Sequence, residues 1–267
     1  MKFYVVSDLH LDIHGIRRDF WHDFDKEATL VVAGDTANGL SGIAYVKNVL
    51  CRHFKAVIMI AGNHEWYSNT SKSYRYTSEC ESSTNSGSLN VSKSSVLAKL
   101  KAHSDTTENL FFLNNESIEL DGYTIFGGTL WFPIHTYSVE LVNAYSELMN
   151  DTKFIGSSMI EEQHKAFINN FPEKVDLAIS HHLPSKEAFA FEQNASSDYA
   201  PYYSDYAPYY HAGLSNELIS RARYWVAGHQ HDAVEKVIAD GSTTFISNPK
   251  GSVRLTSGLL TNKAYYL

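Results

Sequence analysis

The chain carries only two cysteines, Cys51 and Cys80. Two thiols make no disulfide framework. Neither has a second cysteine within a few residues, so a thiolate metal site is not expected. Reduced thiols in a cytosolic setting are the simpler reading. Apolar runs of transmembrane length are missing too. So is a leader pattern, because Met1-Lys2-Phe3-Tyr4-Val5-Val6 runs directly into Ser7-Asp8-Leu9-His10 with no charged region or cleavage signal before it. The expected compartment is the cytoplasm, with no membrane partner. Positive charge is also scarce: 22 Lys and Arg face 30 Asp and Glu, a net charge of -8. Such a field does not attract a polyphosphate backbone, so long nucleic acid is not an expected partner. A local cationic site survives this argument, since bound divalent ions can dominate nearby charge.

What the chain has in quantity is short apolar runs that end abruptly. Phe3–Val6 stops at Ser7-Asp8-Leu9-His10, and Leu30–Ala33 stops at Gly34-Asp35. Ala56–Ala61 stops at Gly62-Asn63-His64-Glu65, Leu177–Ile179 at Ser180-His181-His182, and Tyr224–Ala227 at Gly228-His229-Gln230-His231. Runs this short, rich in Val and Ile and bounded by turn residues, read as buried strands. Ser117–Leu120, Tyr123–Phe126, Val234–Ile238 and Thr243–Ile246 read as further strands, with Asp121-Gly122 and Asp240-Gly241 supplying hairpin turns. Helical spacing recurs between them: Ile43, Val46, Val49, Leu50 and Phe54 share one face. Val96, Leu97 and Leu100 mark a second helix, Leu141, Tyr145 and Leu148 a third, and Met159 to Phe171 a fourth. Strands alternating with helices predict an α/β fold, a mixed-sheet sandwich flanked by helices. One domain over 1–267 is expected, with surface insertions near 68–90, a Ser-, Thr- and Asn-rich stretch, and near 192–213.

The chemistry-bearing residues sit where these strands end. Loops at the carboxyl ends of strands converge although they are far apart in sequence. In Asp8-x-His10, alternation along an extended segment puts a carboxylate and an imidazole on one side. Asp35 follows a glycine that lets the backbone turn tightly, and its two oxygens can bridge two ions. Asn63 offers a neutral carbonyl, and His181 a ring nitrogen. His229-x-His231 repeats the alternate spacing, though a turn would point the two rings at different ions. This mixed oxygen and nitrogen set suits Mn, Fe, Zn, Co or Ni better than Ca.

In this order the motifs resemble those of the calcineurin-like metallophosphoesterases. The matching residues are Asp8-Leu9-His10, Gly34-Asp35, Gly62-Asn63-His64-Glu65, Ser180-His181-His182 and Gly228-His229-Gln230-His231. Gly127-Gly128-Thr129-Leu130-Trp131 is similar to a segment of small bacterial and phage members. The resemblance implies a four-layer αββα sandwich with a dinuclear centre. One ion would be held by Asp8, His10 and His231, the other by Asn63, His181 and His229, with Asp35 bridging. Manganese is the first expectation, with Fe, Zn, Co, Ni or Mg as alternatives. His64 would face the substrate as the catalytic acid, supported by Asn38. Asn63, His64, Trp131 and His182 are candidate substrate contacts.

The implied activity is hydrolysis of a phosphate ester by an activated water shared between two ions. In the protein Ser/Thr phosphatase branch, a second Asp and then an Arg follow the bridging Asp. Here the loop reads Asp35-Thr36-Ala37-Asn38-Gly39. The bidentate phosphate clamp of that Arg is absent. The expectation is therefore a phosphodiesterase acting on small-molecule or nucleotide diesters, with a monoesterase or nucleotide pyrophosphatase as runner-up. A nuclease, a phosphoprotein phosphatase and a non-catalytic binding module are less favoured. Tyr199–Tyr210 is a candidate cap over the site, and His135 a residue flanking it. The sequence leaves the oligomeric state open.

Overall fold

A computed structural model describes residues 1–13, 16, 18–67, 93–190, 206–250 and 262–267. Cys80, the Ser68–Asn90 stretch and the tyrosines from Tyr199 to Tyr203 lie outside the described residues. Among the described residues, no helix is long and apolar enough to cross a membrane.

Two mixed sheets form the centre. The first has the order β11-β1-β2-β3-β4, made of Tyr265–Tyr266 (β11), Lys2–Val6 (β1), Thr29–Val32 (β2), Ala56–Ile60 (β3) and Leu110–Leu113 (β4). Its strands are parallel except β11. The second runs β5-β6-β7-β8-β10-β9, made of Glu116–Leu120, Tyr123–Gly127, Val175–Ile179, Ala222–Val226, Thr243–Ser247 (β10) and Val234–Ile238 (β9). Its two edge strands pair antiparallel, and the rest are parallel. The hairpin turns at Asp121-Gly122 and Asp240-Gly241 have positive φ at both residues. In the two-residue Asp121-Gly122 turn that geometry matches the right-handed twist of the flanking strands, while Asp240-Gly241 sits within the longer connection from Ile238 to Thr243. Strand β4 was not anticipated, although its Leu-Phe-Phe-Leu run is apolar; nor was the two-residue β11.

Strand alternation sorts the side chains into layers. Phe3, Val5, Val31, Ile58 and Ile60 of one sheet pack with Ile125, Leu177, Ile179, Val226 and Ile246 of the other. The alternate residues face outward under helices. Tyr4, Val6, Leu30, Val32 and Met59 pack with Val46, Leu50, Val96 and Leu100, while Phe126, Ala178 and Trp225 pack with Phe167 and Ile219. The result is a four-layer αββα sandwich. Each fully buried aliphatic contributes roughly 1.5–3 kcal/mol, so both faces of each sheet hold the strand ends in place.

The helices follow the apolar spacing. They span Lys93–Asp105, Val139–Leu148 and Ser157–Asn170. Ser138 caps the second, its hydroxyl accepting from Leu141 N, as an N-cap serine does. The helix expected around Val46 is interrupted: Ile43–Tyr45 and Cys51–His53 are α-helical, and Val46–Leu50 between them is a π turn. Val46, Val49 and Leu50 remain buried.

Candidate metal centre

The parallel strands of both sheets end at one rim, where the motif loops meet. Asp8 N donates to Gly34 O at 3.1 Å, and His10 N to Asp35 O at 3.1 Å. Across the sheets, Ser7 N donates to Asn248 O at 3.2 Å and Lys250 N to Ser7 O at 3.0 Å; within the second sheet, Gly228 N donates to His181 O at 3.1 Å. These bonds require the loops to double back. Asp8, His10, Asp35, His229 and His231 accordingly take positive φ, between 42° and 66°. Non-glycine residues in this region each cost on the order of 1–3 kcal/mol, and such strain gathers at functional sites. This corrects the extended reading of Asp8-x-His10: β1 is over by Val6, and a left-handed turn, not strand alternation, brings the two side chains together.

Two glycines allow the crowding. A Cβ on Gly62 would lie 2.2 Å from Asp35 Oδ1, and one on Gly228 would lie 2.6 Å from Asp8 Oδ2. Gly62 and Gly228 are therefore each a contact surface for a carboxylate of another loop.

The ligand-type side chains gather in overlapping groups. Asp8, His10 and His231 bring one donor atom each within 4.8 Å of one another, and so do Asp35, His181 and His229. His10, Asp35 and His64 form a third such group between them. His229 and His231 therefore face different groups. Asn63 joins the second, its Oδ1 lying 3.0 Å from His181 Nε2. Asp35 Oδ2 lies 3.3 Å from His181 Nε2, 3.9 Å from His10 Nε2 and 3.8 Å from His64 Nε2, which is the position a bridging carboxylate needs.

The rings are oriented from behind. His181 Nδ1 lies 2.8 Å from Ala33 O; donating there, it leaves Nε2 turned to the centre. His64 Nδ1 lies 2.8 Å from Asn38 Oδ1, and His64 N donates to Asp35 Oδ1 at 2.9 Å. Glu65 closes the Gly62-Asn63-His64-Glu65 motif. It is buried and accepts from Asp35 N (3.0 Å), Thr36 N (2.7 Å) and Gly62 N (2.7 Å). One carboxylate thereby ties the Asp35 loop to the Asn63 loop.

Electrostatics follow from burial. Burial opposes ionisation of Asp35 and Asp8, but the neighbouring histidines outweigh it and both carboxyls titrate below their ordinary value. Burial also opposes protonation of His181, yet Asp35 and Asp8 raise its pKa to about 10. His10 and His182 respond the other way: desolvation dominates and lowers them to about 4 and about 3.

The residues fit cations on two observations. His229 Nε2 is buried without a hydrogen-bond partner, and an unanswered buried polar atom calls for a ligand or ion. The donor set is two carboxylates, an amide carbonyl and four imidazoles, which suits a first-row divalent metal.

Other expected contacts fall elsewhere. Trp131 and His182 are fully buried, and their rings meet at a tilt of 33° with centroids 4.8 Å apart. Their burial packs them behind the donor groups instead of exposing them as substrate contacts, with the His182 ring backing onto His229 at 4.4 Å. His135 is exposed and 3.8 Å from Glu161. Tyr209 is buried in the body, its hydroxyl donating to Leu141 O at 2.8 Å. Tyr210 lies over His229, with ring centroids 4.4 Å apart.

Sandwich, converging rim loops and donor groups together define a metal-dependent phosphoester hydrolase. Residues 1–233 match the family model for calcineurin-like phosphoesterases, and the chain belongs to that family, whose members use divalent metal ions. The fold is similar to that of phosphopantetheinyl hydrolase from Mycobacterium tuberculosis, with a TM-score of 0.69 over 95% of this chain and 90% of the other at 16% identity. An uncharacterised protein of Acanthamoeba polyphaga mimivirus is 26% identical over 258 residues, spanning 85% of this chain and 83% of the viral one.

Proposed function

We propose that the chain is a dinuclear hydrolase of small-molecule phosphodiesters. The observation that carries this reading is the pair of donor groups, Asp8/His10/His231 and Asp35/His181/His229, with the Asp35 carboxylate reaching toward both. Asp8, His10 and His231 would hold one ion, and Asn63, His181 and His229 the other, with Asp35 shared. Bound there, two ions supply a nucleophilic water at neutral pH and offset charge on the phosphate oxygens.

The remaining steps belong to side chains. His64 and His231 are the ligand-group histidines that keep side-chain exposure, 24% each, so the ester approaches along their edge. With Nδ1–H donated to Asn38, the other ring nitrogen of His64 is turned toward the centre. In its protonated form, Nε2 gives its proton to the departing alkoxide oxygen. General-acid help of this kind is worth roughly 10²–10⁴-fold. Asn38 holds the ring as a neutral acceptor, where a carboxylate would favour the cationic form more strongly. The loop after Asp35 provides no arginine fork to grip a doubly charged terminal phosphate. A singly charged diester needs less of that grip, and this supports the diester preference. The structural relative is named for phosphopantetheinyl hydrolysis, which is also phosphate-ester chemistry; at its low identity it carries the fold and leaves the substrate to experiment.

The test is a manganese-reconstituted panel of aryl mono- and diesters, cyclic nucleotides, dinucleotides and phosphopeptides. Diesters are expected to be cleaved fastest, and chelation is expected to abolish the rate. A phosphopeptide preference would overturn the substrate class, and a chelator-insensitive rate would overturn the metal mechanism.

A further inference from the structure

Asn63 is a weak ligand type, a neutral amide that presents either an oxygen or an NH2 depending on how it is turned. Behind it lies a buried polar cluster that belongs to none of the motifs. Asn63 Nδ2 donates to Asp151 Oδ1 at 2.8 Å and to the Tyr67 hydroxyl at 2.9 Å. Tyr67 in turn donates to Asp151 Oδ1, and Tyr145 donates to Asp151 Oδ2 at 3.1 Å. Asp151 is fully buried, in the turn Asn150–Lys153 that follows the helix Val139–Leu148. Tyr145 and Tyr67 are buried with it, and Phe154 stacks on the Tyr67 ring at 4.4 Å.

We infer that Asp151 is a positioning residue for the metal centre, acting through Asn63. The inference rests on the ligand assignment proposed above. The Asn63 NH2 is turned to the Asp151–Tyr67 pair, so the carbonyl faces His181 and the centre. The pairing also polarises the amide. Donation to a carboxylate draws the nitrogen lone pair toward the carbonyl and makes Oδ1 more anionic, a better ligand for a cation. A fully buried carboxylate answered by neutral donors is costly to keep for packing alone. Beside cations its charge is complementary. The geometry also explains why a turn 88 residues along the chain is pinned against the Asn63 loop.

The experiment reads manganese stoichiometry and affinity by calorimetric titration, on the full chain, with near-UV circular dichroism as the fold check. Asp151→Asn is nearly isosteric but carries no charge, so the Asn63 NH2 keeps at most a neutral acceptor and Oδ1 loses the polarisation that the carboxylate supplies. Affinity for one of the two ions should fall roughly 10–100-fold, the range seen when outer partners of a ligand are lost. The exchange Asn63→Asp with Asp151→Asn returns a carboxylate and an amide to face each other and should recover most of that affinity, whereas Asn63→Asp alone sets two buried carboxylates together and should not, a contrast that a merely structural role would not produce. Tyr145→Phe leaves the Asn63 bonds in place and should change affinity less than about threefold. An Asp151→Asn protein that binds both ions as tightly as the parent overturns the inference, as does an exchange variant no better than the single one. Should Asp151→Asn fail to fold, Asp151→Ser, which withdraws the carboxylate from Asn63, decides: weakened binding of one ion supports the inference, and unchanged binding overturns it. Parent protein that binds no manganese would sink the ligand reading itself. Two-site binding in the parent that falls to one site in Asn63→Ala isolates the Asp151 question.

Discussion

His10 Nε2 and His231 Nε2 face each other at 3.3 Å, and Asp8 Oδ1 lies 3.2 Å from the second of them. Two imidazole nitrogens and a carboxylate oxygen this close need a positive centre among them, either a proton or a metal ion. In the metal-free protein the proton takes the role, and burial of His231 is outweighed by Asp8, which raises its pKa. His181 behaves alike in the second group, at about 10.

Removal of metal should therefore change how stability depends on pH. Histidines whose folded pKa is raised stabilise fully below the unfolded value of about 6.5 and lose that stabilisation as pH rises through the folded value, which is about 10 for His181 and is raised by Asp8 for His231. Histidines whose folded pKa is depressed do the reverse, so His10 and His182 lose theirs as pH falls from that value through about 4 and about 3. Chelated protein should melt highest near neutral to mildly acid pH, changing by ~1.4 kcal/mol per pH unit for each proton of difference. With manganese the ion replaces the proton at His181 and His231, and the alkaline loss disappears. Calorimetric melts with and without chelator should diverge as pH rises. Curves that converge would contradict the ligand assignment.

His64→Ala separates an acid from a ligand. His64 shares a donor group with His10 and Asp35, yet its Nδ1 is committed to Asn38 at 2.8 Å. As an acid, its loss should cut kcat by roughly 10²–10⁴-fold on diesters with poor leaving groups, with much less effect on aryl esters. Manganese stoichiometry should stay at the parent value. Asn38→Ala should give a smaller loss of the same leaving-group dependence, because the ring stays but its orientation relaxes. Loss of an ion in His64→Ala would make it a ligand instead.

The layers and the ligand types were legible because each depends on local pattern. Strand ends such as Ala33-Gly34-Asp35 and Ala227-Gly228-His229 announce themselves by an apolar run halting at a glycine. What stayed hidden depends on contacts between distant segments. Asp151 reads as an ordinary turn residue in Asn150-Asp151-Thr152, and its meeting with Asn63 leaves no mark at either position. The burial of Trp131 and His182 is equally a tertiary fact, set by rings from several elements closing over them. The positive φ of Asp8 and His10 overrode strand alternation, because the rim loops bond to one another rather than continuing their sheets. Strand β4 (Leu110–Leu113) carried a visible signal that went unread, whereas the two residues of β11 are too few to carry one.

Gly62 offers the sharpest test of how tightly the rim is built. Its Cβ position is 2.2 Å from Asp35 Oδ1 and 2.5 Å from Asp35 N. Neither atom is free to retreat, since Asp35 N donates to Glu65 and Asp35 Oδ1 accepts from His64 N. Gly62→Ala must therefore displace the carboxylate that lies between both donor groups. Overpacking of this kind costs about 1–3 kcal/mol, and manganese binding should weaken at both sites together. Gly122→Ala is the control: its φ is +81°, but a Cβ there meets nothing within 4 Å. Left-handed strain alone costs roughly 1–2 kcal/mol, so this variant should lose comparable stability and keep its metal. Chemical denaturation and metal titration of the two variants together separate the effects. Equal metal binding in both would mean that the Asp35 carboxylate has room to move, and that the close approach of Gly62 does not hold the centre in place.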